Sequence, residues 1–331
     1  MDFDQRNIVY FDGHCEGCIF GKQSKAPFPK SSDTKSTQTL ELIHSDVCGP
    51  MSVESIGGSR YVMLIIDDYS RYIVAHILKH KSDAFGKFKE FATLVENQFG
   101  RRIKKLRSDN GGEYVSKEFR DYLKSLGIAH DDTIPYCPQQ NGVAERSNRT
   151  IIEVARSMLY HAHLPLRFWA EAVATAVYVR NRSPTSCFKS ATPYKRWTGN
   201  LPNVKHLRVF GCTSYAKIPD EKRKKLDAKS VKCVFVGYPE GKKGYKLYNP
   251  GTRKMILSRD VIFAESDFEY KDVTENEPDE LLPETWFKMN ITDNENVRNT
   301  IDDDTNDAND AMNRDDADIA PQPPYVDEGL D

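Results

Sequence analysis

Three acidic residues stand where they could hold a divalent cation. Asp46 lies in His-Ser-Asp-Val-Cys-Gly-Pro (44–50), Asp109 in Arg-Ser-Asp-Asn-Gly-Gly-Glu-Tyr (107–114), and Glu145 in Pro-Gln-Gln-Asn-Gly-Val-Ala-Glu-Arg-Ser-Asn-Arg (138–149), with 35 residues (110–144) between the last two acids. Phosphoryl transfer on a phosphodiester needs charge held on an attacking oxygen and on a leaving oxygen. A pair of hard cations roughly 3.5–4 Å apart does this, and such cations take carboxylate oxygens as ligands. In a chain with 49 Asp and Glu, the spacing of three acids carries little by itself; the elements that seat them carry more.

Those elements are legible. Residues 42–47 read as a short buried strand ended by Gly49-Pro50, and 103–106 as a second strand with Asp109 just past its carboxyl end and Gly111-Gly112 closing the turn. Val143, Ile151, Val154, Ala155, Met158 and Leu159 recur at near-helical spacing, which puts Glu145 at the start of a helix after the Asn141-Gly142 break. Between the first two acids, 61–66 and 72–78 are β-rich runs, so Asp67 and Asp68 are read as residues of the intervening turn and not as ligands. Phe85, Phe88, Phe91, Leu94, Val95 and Phe99 predict an amphipathic helix ending near Gly100; Phe119, Tyr122, Leu123 and Leu126 predict another ending at Gly127, with a short strand at 128–130. Strands followed by alternating strand and helix make a mixed α/β unit. On the Glu145 helix, Asn148, Arg149 and Arg156 lie three, four and eleven positions on, a face able to reach DNA phosphates with Arg146; Gln139, Gln140 and Asn141 are candidates for a DNA end.

The three blocks, in this order, resemble the integrases of copia-type LTR retrotransposons. The resemblance implies an RNase H-like catalytic core, a mixed sheet flanked by helices, in which Asp46, Asp109 and Glu145 hold Mg2+ or Mn2+. It also implies metal-dependent 3′-end processing followed by strand transfer of element DNA into target DNA, with DNA as partner and a homo-oligomer as the active form. Glu113 belongs to the family motif without being a ligand. Leu-Pro-x-x-Phe-Trp (164–169) and Asn-Arg-Ser-Pro (181–184) also recur in these elements, and the β-rich runs of 206–265 resemble the small SH3-like β-barrel that follows the core. The cluster Lys222, Arg223, Lys224 and Lys225 in that stretch suits phosphates. Cys15 and Cys18 resemble the Cys half of the family's zinc knuckle; its two His ligands lie well upstream, further than the 14 residues before Cys15 allow, so the knuckle reads as truncated and short of ligands for Zn2+. Two other readings compete: an RNase H-like nuclease that cleaves without joining, and a catalytically inert DNA-binding fragment of the polyprotein.

Charge divides the chain in the same sense. From Ser266 onward there are 21 acidic against 4 basic residues, leaving 28 against 43 in 1–265. A basic body suits a polyanion, and an acidic, Asn/Asp-rich tail suits disorder. The expected organisation is a zinc-knuckle remnant at 1–30, a polar linker at 31–40, the catalytic core with its C-terminal helices at 41–200, the barrel at 206–265 and a disordered tail at 266–331. No apolar run reaches the roughly 18 residues a membrane span needs. There is no signal-peptide core, and seven scattered Cys fit a reducing compartment, so the protein is expected in nucleus and cytoplasm and not as a secreted chain.

Overall fold

The computed structural model describes residues 36–132, 141–188 and 191–270. The Cys15–Cys18 pair, Gln139, Gln140 and the acidic stretch from 271 lie outside the described residues.

The first sheet begins with three antiparallel strands, β1 (Ile43–Cys48), β2 (Tyr61–Asp67) and β3 (Ile73–Leu78). The turn between β2 and β3 uses both of its acids. Asp67 accepts from Ser70 N and Oγ at 2.7 and 2.6 Å and from Leu40 N at 2.8 Å, while Asp68 meets His44 Nε2 at 3.2 Å and Arg71 at 3.0 Å. Helix α1 (Asp83–Phe99) then crosses to β4 (Lys105–Ser108), which lies parallel to β1. The short α2 (Gly112–Val115) and α3 (Lys117–Leu126) lead to β5 (Ala129–Asp132), parallel to β4, giving the mixed order β3-β2-β1-β4-β5. Burial explains the helices: Ala84, Phe88, Phe91, Ala92 and Val95 on α1 and Phe119 and Leu123 on α3 present one apolar face each, at three- and four-residue spacing, to Met63, Ile65 and Leu106 of the sheet. β4 and β5 sit a residue or two later than the apolar runs suggest, because the parallel register, not the apolarity of each run, decides where pairing ends.

Two long helices follow, α4 (Gly142–His161) and α5 (Trp169–Arg182), then the single-turn α6 (Pro193–Thr198). α5 covers the open edge of β3. Asn181, buried on α5, accepts from Ile73 N at 2.9 Å and donates to Ile73 O at 2.8 Å, as a paired strand residue would.

The second sheet is wholly antiparallel: β6 (Thr213–Lys217), β7 (Ser230–Gly237), β8 (Tyr245–Asn249), β9 (Lys254–Ser258) and β10 (Val261–Ala264), in the order β10-β6-β7-β8-β9. Its core is Cys212, Ala216, Cys233, Phe235 and Leu247. Five β-rich runs become five strands, but not the same five. The run at 209–212 is a turn, since a Cβ on Gly211 would fall 2.1 Å from that of Ala162 at the end of α4, and the run at 254–263 divides into β9 and β10. The sheet packs on α5, where Tyr178 stacks on Tyr238 at 4.2 Å and Glu171 pairs with Lys246 at 2.7 Å. Residues 266–270, assigned from charge to a disordered tail, are instead tied down: Thr213 N donates to Asp267 O at 2.7 Å, Phe268 packs on His161 and Tyr270 on Phe168. Two aromatics outweigh the local acidity. Among the described residues no helix is long and apolar enough to cross a membrane.

Replacing Asn181 with Ala would leave Ile73 with a buried, unanswered N–H and C=O. An expected loss of about 2–4 kcal/mol follows, to be read as a lower urea midpoint at unchanged slope; a midpoint within error of wild type would show the edge to be satisfied by other means.

Candidate active site

β1 is the central strand of its sheet, and its pairing with β4 sets the site. Ile43 lies opposite Leu106 and His44 opposite Arg107. Carried past the paired residues, the same offset points Asp46 toward Asp109, which lies just beyond the end of β4, and the charge of Asp109 is felt at Asp46. Strand β4 itself ends at Ser108, whose hydroxyl is shared between His130 Nε2 at 2.9 Å and the Asp109 carbonyl at 3.0 Å. On the other side, Ser45 Oγ and the Tyr114 hydroxyl are 2.7 Å apart in the core, which ties β1 to the turn after Asp109. Neither Ser108 nor Tyr114 carries a sequence signal of this role, since both read as ordinary motif residues.

Helix α4 closes the site from above β1. Its buried face is Ala144, Asn148, Ile151, Ala155 and Leu159, which places Glu145 and Arg146 outward in the first turn and Arg149 outward in the next. Asn148 was expected among the DNA contacts. It is 7 % exposed, and its amide donates to Asp46 Oδ2 at 2.5 Å, because the helical period that turns Ala144 inward turns position 148 inward with it. Asn141, expected at a DNA end, is likewise buried and donates to Ser45 O at 3.3 Å. Arg146 and Arg149 are exposed and Arg156 is half-buried. In the second sheet's turn, Lys222, Lys224 and Lys225 are exposed, whereas Arg223 is engaged by Asp220.

The charges of Asp109 and Glu145 both bear on Asp46. Burial pushes the half-buried Asp46 up to about 6, and the charge of Asp109 and, more weakly, of Glu145 adds to this against the Asn148 hydrogen bond. Glu145 is raised as well, by desolvation and by Asp109, with Arg149 and Arg146 opposing. Cys48, two residues beyond Asp46, is pushed up to about 11 by burial and by the Asp46 charge.

A divalent cation would offset both the burial and the neighbouring carboxylate charge that lift Asp46. Asn141 Oδ1 and Asn148 Oδ1, both buried, find no partner among the described residues, so this end of α4 has acceptor oxygens to spare for a cation or its waters. Among the described residues no three His, Cys, Asp or Glu side chains come close enough to cage a metal by themselves. Mg2+ does not need such a cage, since it binds through one or two carboxylates and keeps waters and substrate phosphates for the rest. The donor set fits.

Comparison with known proteins gives the following. Residues 36–138 match the integrase core domain, and residues 212–277 match the retroviral polymerase SH3-like domain. The chain is 48 % identical over 270 residues to the retrovirus-related Pol polyprotein from transposon TNT 1-94 of Nicotiana tabacum, covering 81 % of this chain and 20 % of that protein. It is 39 % identical over 256 residues to the polyprotein from transposon RE2 of Arabidopsis thaliana, covering 77 % and 17 %. It thus spans about a fifth of the length of these relatives. Among solved structures, the HTLV-2 integrase catalytic core domain in complex with magnesium is 18 % identical with a TM-score of 0.37, over 49 % of this chain and 98 % of that one, a likeness too low to bear on the site.

The Asp46 shift has a consequence for stability. In metal-free protein, a carboxyl with a folded pKa near 6 and an unfolded pKa near 3.9 keeps its proton longer in the fold. Stability is then whole below pH 4 and falls as pH rises through 6, by at most about 3 kcal/mol. Asp46→Asn should remove that loss, so that in EDTA the variant gains stability over wild type at pH 8 and not at pH 4. A wild-type-to-variant difference that does not change with pH would contradict this.

Proposed function

The chain belongs to the copia-type retrotransposon integrases, carrying the integrase core and the retroviral SH3-like domain of a Pol polyprotein, and on that premise we propose that it is the DNA strand-transfer unit of its element. What supports this reading is that the parallel pairing of β1 with β4 directs Asp46 and Asp109 toward the same rim of the sheet, and that the charges of Asp109 and Glu145 both bear on Asp46. Asp46, Asp109 and Glu145 would hold Mg2+ or Mn2+, which when bound supplies charge neutralisation at the attacking and leaving oxygens of the phosphodiester.

The chain's own residues do the rest. The Asn148 amide holds Asp46 in one rotamer and favours its ionised form. The Ser45–Tyr114 pair ties the end of β1 to the helix after Asp109, and the Ser108–His130 pair ties the end of β4 to β5. Arg146 and Arg149, exposed on the turns of α4 beside Glu145, meet the DNA backbone and fix its register without reading bases. Lys222, Lys224 and Lys225 in the SH3-like domain extend the basic surface. The same residues would run both steps, water attacking near a 3′ end and the freed 3′-OH attacking target DNA, with no covalent enzyme intermediate. Joining two DNA ends needs at least two copies, so the active form is proposed to be a homo-oligomer. We divide the chain functionally into a catalytic unit at 41–200 and an SH3-like module at 206–265.

The full chain incubated with labelled duplex oligonucleotides and Mn2+ or Mg2+ should give joined products that are absent from Asp109→Asn. Metal-dependent cleavage without joining would replace the integrase reading with a nuclease, and salt-sensitive DNA binding with neither product would leave an inert DNA-binding fragment. A readout apart from turnover is the melting temperature. Millimolar Mg2+ or Mn2+ should raise it in wild type, by the linkage between binding and folding, and raise it much less in Asp109→Asn.

A further inference from the structure

Glu113 and Lys81 take no part in the function proposed above, yet they stand at the acid site. Glu113 lies in α2, four residues after Asp109, with its side chain only 7 % exposed. It folds back over the turn. A Cβ built on Gly111 would fall 2.8 Å from Glu113 Oε1 and 3.0 Å from Asp109 Oδ1, so the two carboxylates flank the same bare glycine. Asp109 Oδ1 also accepts the Gly111 N–H at 3.1 Å. A side chain at 111 would have to push the tip of one acid or the other aside.

A carboxylate this shielded needs a cation nearby. The described residues supply Lys81, from the loop between β3 and α1, with Nζ 3.7 Å from Glu113 Oε1. That spacing is an ion pair but too long for a hydrogen bond, and the ammonium makes no hydrogen bond to a described residue, so its three donors remain unspent. The Lys81 side chain is 46 % exposed. The cation therefore faces the shielded Glu113 on one side and solvent on the other. A loop staple would close to hydrogen-bonding distance and spend its donors on the protein; this one does neither.

We propose that Lys81 is a DNA-phosphate contact of the acid site, held at its rim by Glu113. The inference rests on the reading of the chain as an integrase. A polyanion that approaches a cluster of carboxylates is repelled unless fixed positive charge lines its path. Arg146 and Arg149 provide such charge on α4, and Lys81 provides it from the β3–α1 loop.

The test is amine-reactive labelling of the full chain, with and without a blunt DNA duplex in Ca2+, read lysine by lysine by mass spectrometry. Lys81 should be protected several-fold by DNA. In parallel, Lys81→Gln should weaken duplex binding and lower the slope of log affinity against log salt by about one, while Lys81→Arg keeps it, and Glu113→Gln should reduce the protection of Lys81. If DNA binds and protects other lysines while Lys81 labels equally in both states, or if Lys81→Gln lowers the melting temperature at an unchanged salt slope, Lys81 is a loop staple and the proposal is overturned with the integrase reading intact. If the wild-type chain shows no salt-sensitive DNA binding, the integrase reading itself fails and takes this proposal with it.

Discussion

Parallel pairing of β1 with β4, with Ile43 opposite Leu106, is the constraint on which the site depends. Parallel strands run in one direction, so both present their carboxyl ends at the same rim of the sheet, and Asp46 and the residue just past the end of β4, Asp109, are directed to that rim. The crossover that makes this pairing possible is α1, whose Phe88 and Phe91 are anchored in the same core as Met63 and Leu106. Sequence-distant acids thus become neighbours through an apolar arrangement that has no chemistry of its own.

The meeting has an energetic cost. Burial disfavours the charge on Asp46, and the nearby Asp109 charge adds to this, so the Asp46 carboxyl is pushed up to about 6. The fold offsets this locally. The Asn148 amide lies against Asp46, the Asn141 amide against the neighbouring Ser45 carbonyl, and the Ser45–Tyr114 and Ser108–His130 pairs stiffen the strand ends.

Helix α4 serves two surfaces with a single period. Its inward face buries Ala144, Ile151, Ala155 and Leu159 and carries Asn148 to the acids, while Glu145, Arg146 and Arg149 remain at the surface. The SH3-like sheet is packed against the next helix through Tyr178, Tyr238, Glu171 and Lys246, and α5 in turn seals β3 through Asn181. The basic turn at 222–225 is therefore carried on a support that reaches back to the catalytic sheet.

Much of this was open to reading from the chain. The three motif blocks name the acids and their family. The apolar spacing of α1, α3 and α4 gives their existence and nearly their ends, because each buries a single face and the period of such a face is written in the residues. Composition separates a basic body from an acidic tail. What the chain could not declare is which polar residues turn inward. Asn148 and Arg149 are adjacent and equally polar, and only the packing of α4 on β1 sends one to Asp46 and leaves the other at the surface. Phe268 and Tyr270 sit in an acidic stretch, and a partner more than a hundred residues away decides that they are held. Glu113 and Lys81 are 32 positions apart with no motif linking them, and their pairing exists only once α1 has carried the chain from β3 to β4. Local pattern determines the elements and the identity of the reactive groups; contacts across long separations, which no local period encodes, determine which of those groups share a site.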